Sequence, residues 1–134
     1  MPVVGIGTDI IEINRITAMT DNTRDRLAKR ILTPDEYQYF CSLLLNANDL
    51  SPSRAVRYLA KRWAGKEAAA KALGTGIACG ISFQQIEIVS LESGQPTLVL
   101  SGKALEVARA KKATCWHISL ADEALYATAF VTLS

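Results

Sequence analysis

The spacing of apolar and polar positions changes along the chain, and the changes predict an order of strands and helices. The opening stretch is rich in β-branched residues and predicts a first strand over PVVGIGTDIIEI. Short helices are expected over 13–19 and roughly 24–31. The TPDE motif at 33–36 is a capping box with proline at the first helical position, which predicts a third helix that ends near NANDLSPS.

A second cap-plus-proline signal, Ser51-Pro52, predicts a long helix that ends near Leu73. Beyond it, IEIVSL and PTLVLS flank the turn signal ESGQ and predict a β-hairpin. A helix is expected over about 103–111, and CWHISL is expected to pair with LYATAFVTL across ADEA. The pattern predicts one α+β domain over 1–134, mainly an antiparallel sheet packed against a long helix and shorter helices.

Composition is consistent with this expectation. The chain has 134 residues, of which 49% are hydrophobic, enough for the core of one globular domain. No apolar run reaches the ~18–20 residues of a membrane span, and the first residues lack the features of a signal peptide, so a cytoplasmic protein without a membrane partner is expected. Cys41, Cys79 and Cys115 are far apart, which favours reduced structural thiols over a disulfide or zinc site.

Positive charge is concentrated in two segments although the net charge is only +2. Five cations and no acid lie between Asp49 and Glu67, namely Arg54, Arg57, Lys61, Arg62 and Lys66. The segment RDRLAKR, 24–30, has four cations and one acid. A solvated helix face usually mixes the signs, so the two clusters together favour an anionic partner or substrate over a merely soluble surface.

One carboxylate lies on the apolar stripe of the predicted long helix. Glu67 follows Trp63 by four residues, on the stripe that also carries Val56, Ala60 and Ala70. A carboxylate facing the core must be protonated, paired or bound to a metal, because an isolated buried charge is costly. The simplest alternative is an ion pair with Lys71, one turn later.

A second carboxylate, Asp9, follows the stretch GIGT at the expected end of the first strand. It could cap the next helix, or project from the sheet edge into a crevice. Together with Glu67 it could supply the few carboxylates typical of a Mg²⁺ site, whose other ligands are water and substrate phosphates. The GTG motif follows its helix, unlike a phosphate-binding loop, so any phosphate nearby must be held by side chains.

Two long motifs carry a family resemblance. The segments GIGTDIIEINRI, 5–16, and RWAGKEAAAKALGTGI, 62–77, resemble the two signatures of the holo-acyl-carrier-protein synthases. These enzymes are the short-chain branch of the 4′-phosphopantetheinyl transferases, and the resemblance covers essentially the whole chain. It implies the fold of that family and transfer of phosphopantetheine from coenzyme A to a serine of apo acyl carrier protein, in the service of fatty acid biosynthesis.

The resemblance also implies roles for individual residues. Asp9 and Glu67 match the family's Mg²⁺ ligands, and Lys71 matches a lysine near the transferred phosphate. Glu67 is also implied to orient a metal-bound water that accepts the serine proton, although the residues alone leave the proton acceptor open. The positions that match contacts to the phosphates of coenzyme A are Arg54, Arg62, Lys66 and Lys71. Gly74 and Gly76 match glycines that let the backbone approach the nucleotide. The positions that match docking of the acidic carrier protein are Arg15, Arg24 and Arg26. The family is trimeric, with each active site between neighbouring subunits, so a homotrimer is implied.

The sequence departs from the family pattern at two positions. Asp122 stands where many members have histidine, so a histidine base or adenine contact cannot be carried over. Ala70 replaces a serine, which removes one hydroxyl contact to substrate. The chain's only histidine, His117, lies on a predicted strand, and a structural role is favoured for it.

Two other functional classes deserve comparison. A nucleic-acid-binding module would also use basic helices, but the basic segments have few interleaved aromatic residues and no recognisable motif. A coenzyme A-binding regulator without turnover would not need Asp9, Glu67 and Lys71 together. The sequence therefore favours the transferase, with no nucleic-acid partner.

Overall fold

The structure is a computed structural model that describes residues 2–46 and 52–134. Its strands are β1 (Gly5–Glu12), β2 (Ile86–Ser90), β3 (Pro96–Leu100), β4 (Trp116–Asp122) and β5 (Tyr126–Leu133). Its α-helices are α1 (Asn14–Thr17), α2 (Asp21–Ile31), α3 (Pro34–Leu45), α4 (Arg54–Ala72) and α5 (Gly102–Ala110). A single 3₁₀ turn, Phe83–Gln85, precedes β2. The expected α+β architecture is confirmed.

The strands form two antiparallel units. One is a sheet in the order β1-β5-β4, in which Asp9 is opposite Ala129 and Ala129 is opposite Leu120. The other is the expected hairpin of β2 and β3, with Gly94 in the turn at φ +90°. Side chains alternate between the two faces of a strand, so every second residue of the three-stranded sheet faces α4.

Helix α4 lies at the centre of the molecule. Most of its residues are buried, including an alanine-rich surface that packs against β1 and β5. The apolar core around it includes Phe40, Leu59, Ile86 and Val131, each with 0% exposure. A helix that is buried on most of its faces carries apolar residues around most of its circumference. The apolar surface of α4 is therefore wider than a single stripe.

Two cap predictions have different outcomes. The capping box at Thr33 and Glu36 is confirmed, with both reciprocal hydrogen bonds present. The predicted start of α4 is wrong by about two residues, because Ser53 is its N-cap and accepts a hydrogen bond from the Val56 amide. Pro52 precedes the cap instead of entering the first turn, and Ser51 lies outside the described residues. Within residues 2–46 and 52–134, no helix has the length and apolar character to cross a bilayer.

Candidate active site

The first glycine-rich motif allows β1 to pass very close to α4. A Cβ built on Gly7 would lie 1.9 Å from the Ala68 carbonyl oxygen, and one on Gly5 would lie 2.3 Å from that of Ala72. A larger residue than glycine at either position would push β1 away from α4. The glycines of β1 therefore pack against the alanines of α4. The two signature motifs are therefore packed directly against each other.

This packing brings Asp9 to the last turns of α4. The Lys71 ammonium lies 3.0 Å from Asp9 Oδ1 and 3.0 Å from the Thr8 carbonyl oxygen. Asp9 lies within β1 and contacts Lys71 of α4, so the prediction that it lies at the end of the strand is wrong. The alternative that it caps the next helix is excluded, because Ile13 is the N-cap of α1. Its other oxygen, Oδ2, is buried and has no hydrogen-bond donor among the described residues.

Glu67 lies one turn before Lys71 on the same face of α4, which is the face that meets Asp9. It is half-buried, not fully enclosed in the core. The alternative ion pair with Lys71 is wrong, since Lys71 binds Asp9 instead. A depression of about 450 Å³ begins at Asp9 and Lys71 and extends over the outer face of the sheet toward Phe130.

Lys66 does not face this depression. Its ammonium has 0% exposure and donates to Glu36 Oε1 at 2.5 Å and to the carbonyl oxygens of Ile31 at 2.7 Å and Phe83 at 3.1 Å. Burial lowers the pKa of Lys66, and the Glu36 carboxylate opposes that shift. With all three donors used inside the core, this side chain has no free N–H for a phosphate. The implied contact between Lys66 and a phosphate of coenzyme A is therefore wrong.

Glu36 completes this buried pair. Its Oε1 also accepts from the Thr33 amide at 2.8 Å, and its Oε2 accepts from the Ile88 amide at 2.9 Å. The pair thus joins the end of α2, the start of α3 and the middle of β2 to α4. Sequence reasoning missed it, although Glu36 was recognised as part of a capping box.

The cations at the start of α4 line a second cavity, of about 600 Å³. Arg62 is 8% exposed, stacks on Tyr58 at 4.5 Å from the ring centroid, and donates to Ser90 Oγ at 3.2 Å. Its Nε is buried without an acceptor among the described residues. Burial raises the pKa of Tyr58 to about 12, so its ring and hydroxyl stay neutral beside the guanidinium. Arg54, at the first position of α4, lines the same cavity and is exposed.

Asp122, the residue that replaces a family histidine, is held by two further cations of α4. Its Oδ2 accepts from Arg57 at 2.8 Å, and its Oδ1 lies 3.3 Å from the Lys61 ammonium. Burial alone would raise the pKa of Asp122, but the Arg57 and Lys61 contacts outweigh it and lower the pKa. Asp122 is thus anionic at neutral pH. Its contacts were not predicted, although Arg57 and Lys61 belong to the basic cluster seen in the sequence.

Gly74 and Gly76 form the turn that ends α4, as expected for glycines after a helix. Both have positive φ, +84° and +64°. Their amides donate to the carbonyl oxygens of Lys71 at 2.9 Å and Ala70 at 3.1 Å, which are among those left unpaired at the helix end. A Cβ on Gly76 would meet nothing within 4 Å, so this backbone is open to an approaching molecule.

The three arginines implied in carrier docking have different environments. Arg15 is exposed on α1, with its guanidinium 5.2 Å from the centroid of the Trp63 ring. Arg24 is only 15% exposed, and its nitrogens donate to carbonyl oxygens in and just after the last turn of α1, including that of Met19 at 2.9 Å. Arg26 is exposed. Arg15 and Arg26 are therefore accessible, whereas Arg24 mainly holds α1 against α2.

The two remaining sequence positions have simple environments. His117 lies on β4 opposite Thr132 and is exposed, so its predicted place on a strand is confirmed. Ala70 has 0% exposure, within the core formed by α4. A serine there would be enclosed as well.

Comparison with known proteins identifies the family. The model of the 4′-phosphopantetheinyl transferase superfamily matches residues 5–131. A holo-[acyl-carrier-protein] synthase of Edwardsiella ictaluri is 47% identical over 131 residues, which are 98% of this chain and 97% of that protein. The crystal structure of a Neisseria meningitidis holo-[acyl-carrier-protein] synthase covers 99% of both chains, with 36% identity and a TM-score of 0.82. A Bacillus anthracis holo-(acyl-carrier-protein) synthase in complex with CoA (3′,5′-ADP) is 35% identical, with a TM-score of 0.75, covering 98% of this chain and 96% of that one. This chain belongs to the 4′-phosphopantetheinyl transferase superfamily.

Proposed function

We propose that this protein is a holo-[acyl-carrier-protein] synthase. It moves the 4′-phosphopantetheine group of coenzyme A onto a serine of apo acyl carrier protein and releases adenosine 3′,5′-bisphosphate. The serine hydroxyl attacks the pyrophosphate phosphorus that carries the pantetheine. The bond from serine oxygen to that phosphorus forms as its bond to the bridging oxygen breaks, the hydroxyl proton is released to water, and the bisphosphate leaves with the bridging oxygen. The relatives that carry this name match almost the full length of the chain.

The observation that carries the proposal is the contact between Asp9 and Lys71. A lysine ammonium 3.0 Å from Oδ1, beside a buried Oδ2 without a donor, joins the two signature motifs in one polar site. An unpaired buried carboxylate oxygen is costly, so a site that retains one has a reason to attract a cation.

The donor chemistry of this site fits Mg²⁺. Asp9 and Glu67 both offer carboxylate oxygens, the ligands that Mg²⁺ prefers. The described residues contain no cluster of three His, Cys, Asp or Glu side chains, so two carboxylates leave most coordination positions to water and phosphate. When bound, the ion would neutralise charge on the pyrophosphate oxygens.

The chain's own residues contribute positioning and charge. Lys71 is 52% exposed at the rim of the depression, where its ammonium can turn from Asp9 to the transferred phosphate. Its charge then offsets the negative charge of the phosphoryl group during transfer. Glu67 and Asp9 would hold the ion, because two carboxylates by themselves repel a diphosphate. Holding the reactants in one geometry accounts for a large share of such catalysis.

The larger cavity is the proposed nucleotide site. Arg62 offers a buried Nε–H for which the described part of the chain provides no acceptor, and a phosphate oxygen would satisfy it with a charge-assisted hydrogen bond. Arg54 adds an exposed cation at the mouth. Gly74 and Gly76 are proposed to let the backbone approach the coenzyme near the transferred group.

The distance between the two sites supports a shared active site. Arg54 and Lys71 are separated by 17 positions on one helix, which is about 25 Å at 1.5 Å per residue. One diphosphate cannot reach both in a single chain. A homotrimer, in which neighbouring subunits complete each other's sites, would bring them together.

The outer face of the three-stranded sheet supplies a surface for this assembly. Ile6 and Ile10 on β1 are 61% and 60% exposed, and Tyr126 and Phe130 on β5 are 44% and 43% exposed. These side chains share one face, and the depression at Asp9 opens onto it. A contiguous exposed apolar surface of this kind is typical of a protein interface.

The decisive experiment is mass spectrometry of apo acyl carrier protein incubated with the enzyme, coenzyme A and Mg²⁺. We expect a gain of one phosphopantetheine group, lost when a chelator is added and restored by excess Mg²⁺. A carrier protein that stays unmodified would contradict the proposal. It would leave a coenzyme A-binding regulator or a nucleic-acid-binding module as the alternatives.

A further inference from the structure

One face of α4 presents a row of cations to the larger cavity. Arg54, Arg57 and Lys61 follow one another at intervals of three and four residues, and Arg62, next to Lys61, also lines the cavity. Acids also reach the cavity: Asp35, Glu36 and Glu87. Glu36 is already neutralised by Lys66, and Glu87 accepts from the Thr33 hydroxyl at 2.8 Å on the opposite wall.

Two of the four cations are already paired with an anion. Arg57 and Lys61 both bind Asp122, at 2.8 Å and 3.3 Å, and Arg57 also donates to the Glu123 carbonyl oxygen at 3.2 Å. Each of the two cations is 30% exposed, and Asp122 is 23% exposed. Asp122 is the last residue of β4, so its carboxylate reaches α4 from the end of the sheet.

We propose that Asp122 is an internal counter-anion that limits how tightly this cavity binds the phosphates of its nucleotide. The inference rests on the proposed function of the cavity. A phosphate that enters competes with the Asp122 carboxylate for Arg57 and Lys61. The cavity therefore holds the nucleotide less firmly than four unpaired cations would, and the bisphosphate product leaves more readily.

The arrangement is more specific than an ordinary surface ion pair. Isolated surface pairs contribute little to stability, whereas Asp122 forms a network with two cations, Arg57 and Lys61. Here both cations line a cavity whose deepest cation, Arg62, has a buried Nε without a described acceptor. These cations favour an anion in the cavity, and Asp122, which does not itself line the cavity, offsets two of them through its contacts with Arg57 and Lys61.

The test compares two substitutions that each remove one negative charge. Asp122→Asn removes the counter-anion and keeps the size of the side chain and one acceptor oxygen. Glu123→Gln removes one negative charge from the adjacent exposed residue, whose side chain has no described contact with Arg57 or Lys61. Affinity for adenosine 3′,5′-bisphosphate is measured by calorimetry at two salt concentrations.

We expect Asp122→Asn to bind the bisphosphate roughly threefold to tenfold more tightly than the wild type, with a steeper loss of affinity as salt increases. Glu123→Gln is expected to stay within about twofold of the wild type. Unchanged or weaker binding by Asp122→Asn would overturn the inference, since it would make Asp122 a bystander or a residue that only orients the cations.

Two further measurements keep the result interpretable. Asp122→Ser serves as a second variant if Asp122→Asn does not fold, and it carries the same expectation. Arg54→Ala locates binding in this cavity, because it removes an exposed cation at the mouth and is expected to weaken binding. If the wild type does not bind the bisphosphate, or Arg54→Ala binds it normally, the cavity assignment fails. If both behave as expected and Asp122→Asn matches the wild type, only the present inference fails.

Discussion

The Lys71 ammonium lies 3.0 Å from Asp9 Oδ1, across the junction of α4 and β1, and not beside Glu67 on its own helix. As a result, the two oxygens of the Asp9 carboxylate have different environments. Oδ1 is paired with a cation of the chain, whereas Oδ2 is buried without a described donor. The same carboxylate can therefore hold Lys71 in place and still offer an oxygen to a divalent ion.

The buried Lys66–Glu36 pair makes a prediction about stability. Lys66→Met leaves the Glu36 carboxylate buried without its cation, which should cost about 3–5 kcal/mol of unfolding free energy. The double variant Lys66→Met, Glu36→Gln should recover much of that loss, because no isolated charge remains. Urea denaturation measures both. A Lys66→Met protein of normal stability with a greatly raised KM for coenzyme A would restore the phosphate role that the structure argues against.

The exposed face of the sheet predicts the effect of charge on assembly. Phe130→Asp should convert the expected trimer to monomers and abolish activity, since it places a charge in the apolar interface. Val99→Asp is the matched control, because Val99 is 48% exposed on the separate β2–β3 hairpin. Sedimentation of both variants beside an activity assay is the measurement. A fully active monomer would contradict a site shared between subunits.

Carrier docking predicts a change in association. Arg15→Glu should raise the KM for apo acyl carrier protein, mainly through slower association, because it reverses the charge of an exposed side chain facing an acidic partner. Lys112→Glu makes the same charge change at an exposed position after α5 and should leave the KM nearly unchanged. Stopped-flow association at low and high salt tests both. Equal effects of the two variants would argue against a local docking face.

The lowered pKa of Asp122 predicts a dependence of stability on pH. A carboxyl whose folded pKa lies below its ordinary value of 3.8 stabilises the folded state above that value, and the contribution is lost as the pH falls through the folded pKa. The difference in unfolding free energy between wild type and Asp122→Asn should therefore shrink as the pH falls below about 4. Glu123→Gln, compared in the same way, provides the control. A difference that is constant with pH would contradict the ion-paired state of Asp122.

The sequence predicted the elements well where local chemistry determines them. The capping box at Thr33 and the hairpin turn at Gly94 depend on a few adjacent residues, and both formed as expected. The start of α4 was misjudged because Ser51-Pro52 gives a cap-plus-proline signal two residues before Ser53, which is the N-cap in the structure.

The site was less predictable because its contacts join distant segments. Periodicity placed Glu67 on the apolar stripe, but only the packing of β1 on α4 decides that Lys71 turns to Asp9. Lys66 read as one more cation of a basic cluster, and only the tertiary structure brings the Glu36 carboxylate and two carbonyl oxygens to it. Helical spacing alone cannot distinguish a buried cation from an exposed one on a helix enclosed on most sides.

The central claim is that Asp9 and Glu67 hold one divalent ion that the transfer requires. Electron paramagnetic resonance of Mn²⁺, which shares the preference of Mg²⁺ for oxygen ligands, measures this directly in the presence of coenzyme A. The wild type should bind one ion that Mg²⁺ displaces, whereas Asp9→Asn and Glu67→Gln should lose it and fall about 100-fold or more in turnover while remaining folded. Glu106→Gln, an exposed change on α5, should behave as the wild type. Wild-type ion binding and near-normal turnover in either site variant would contradict the account.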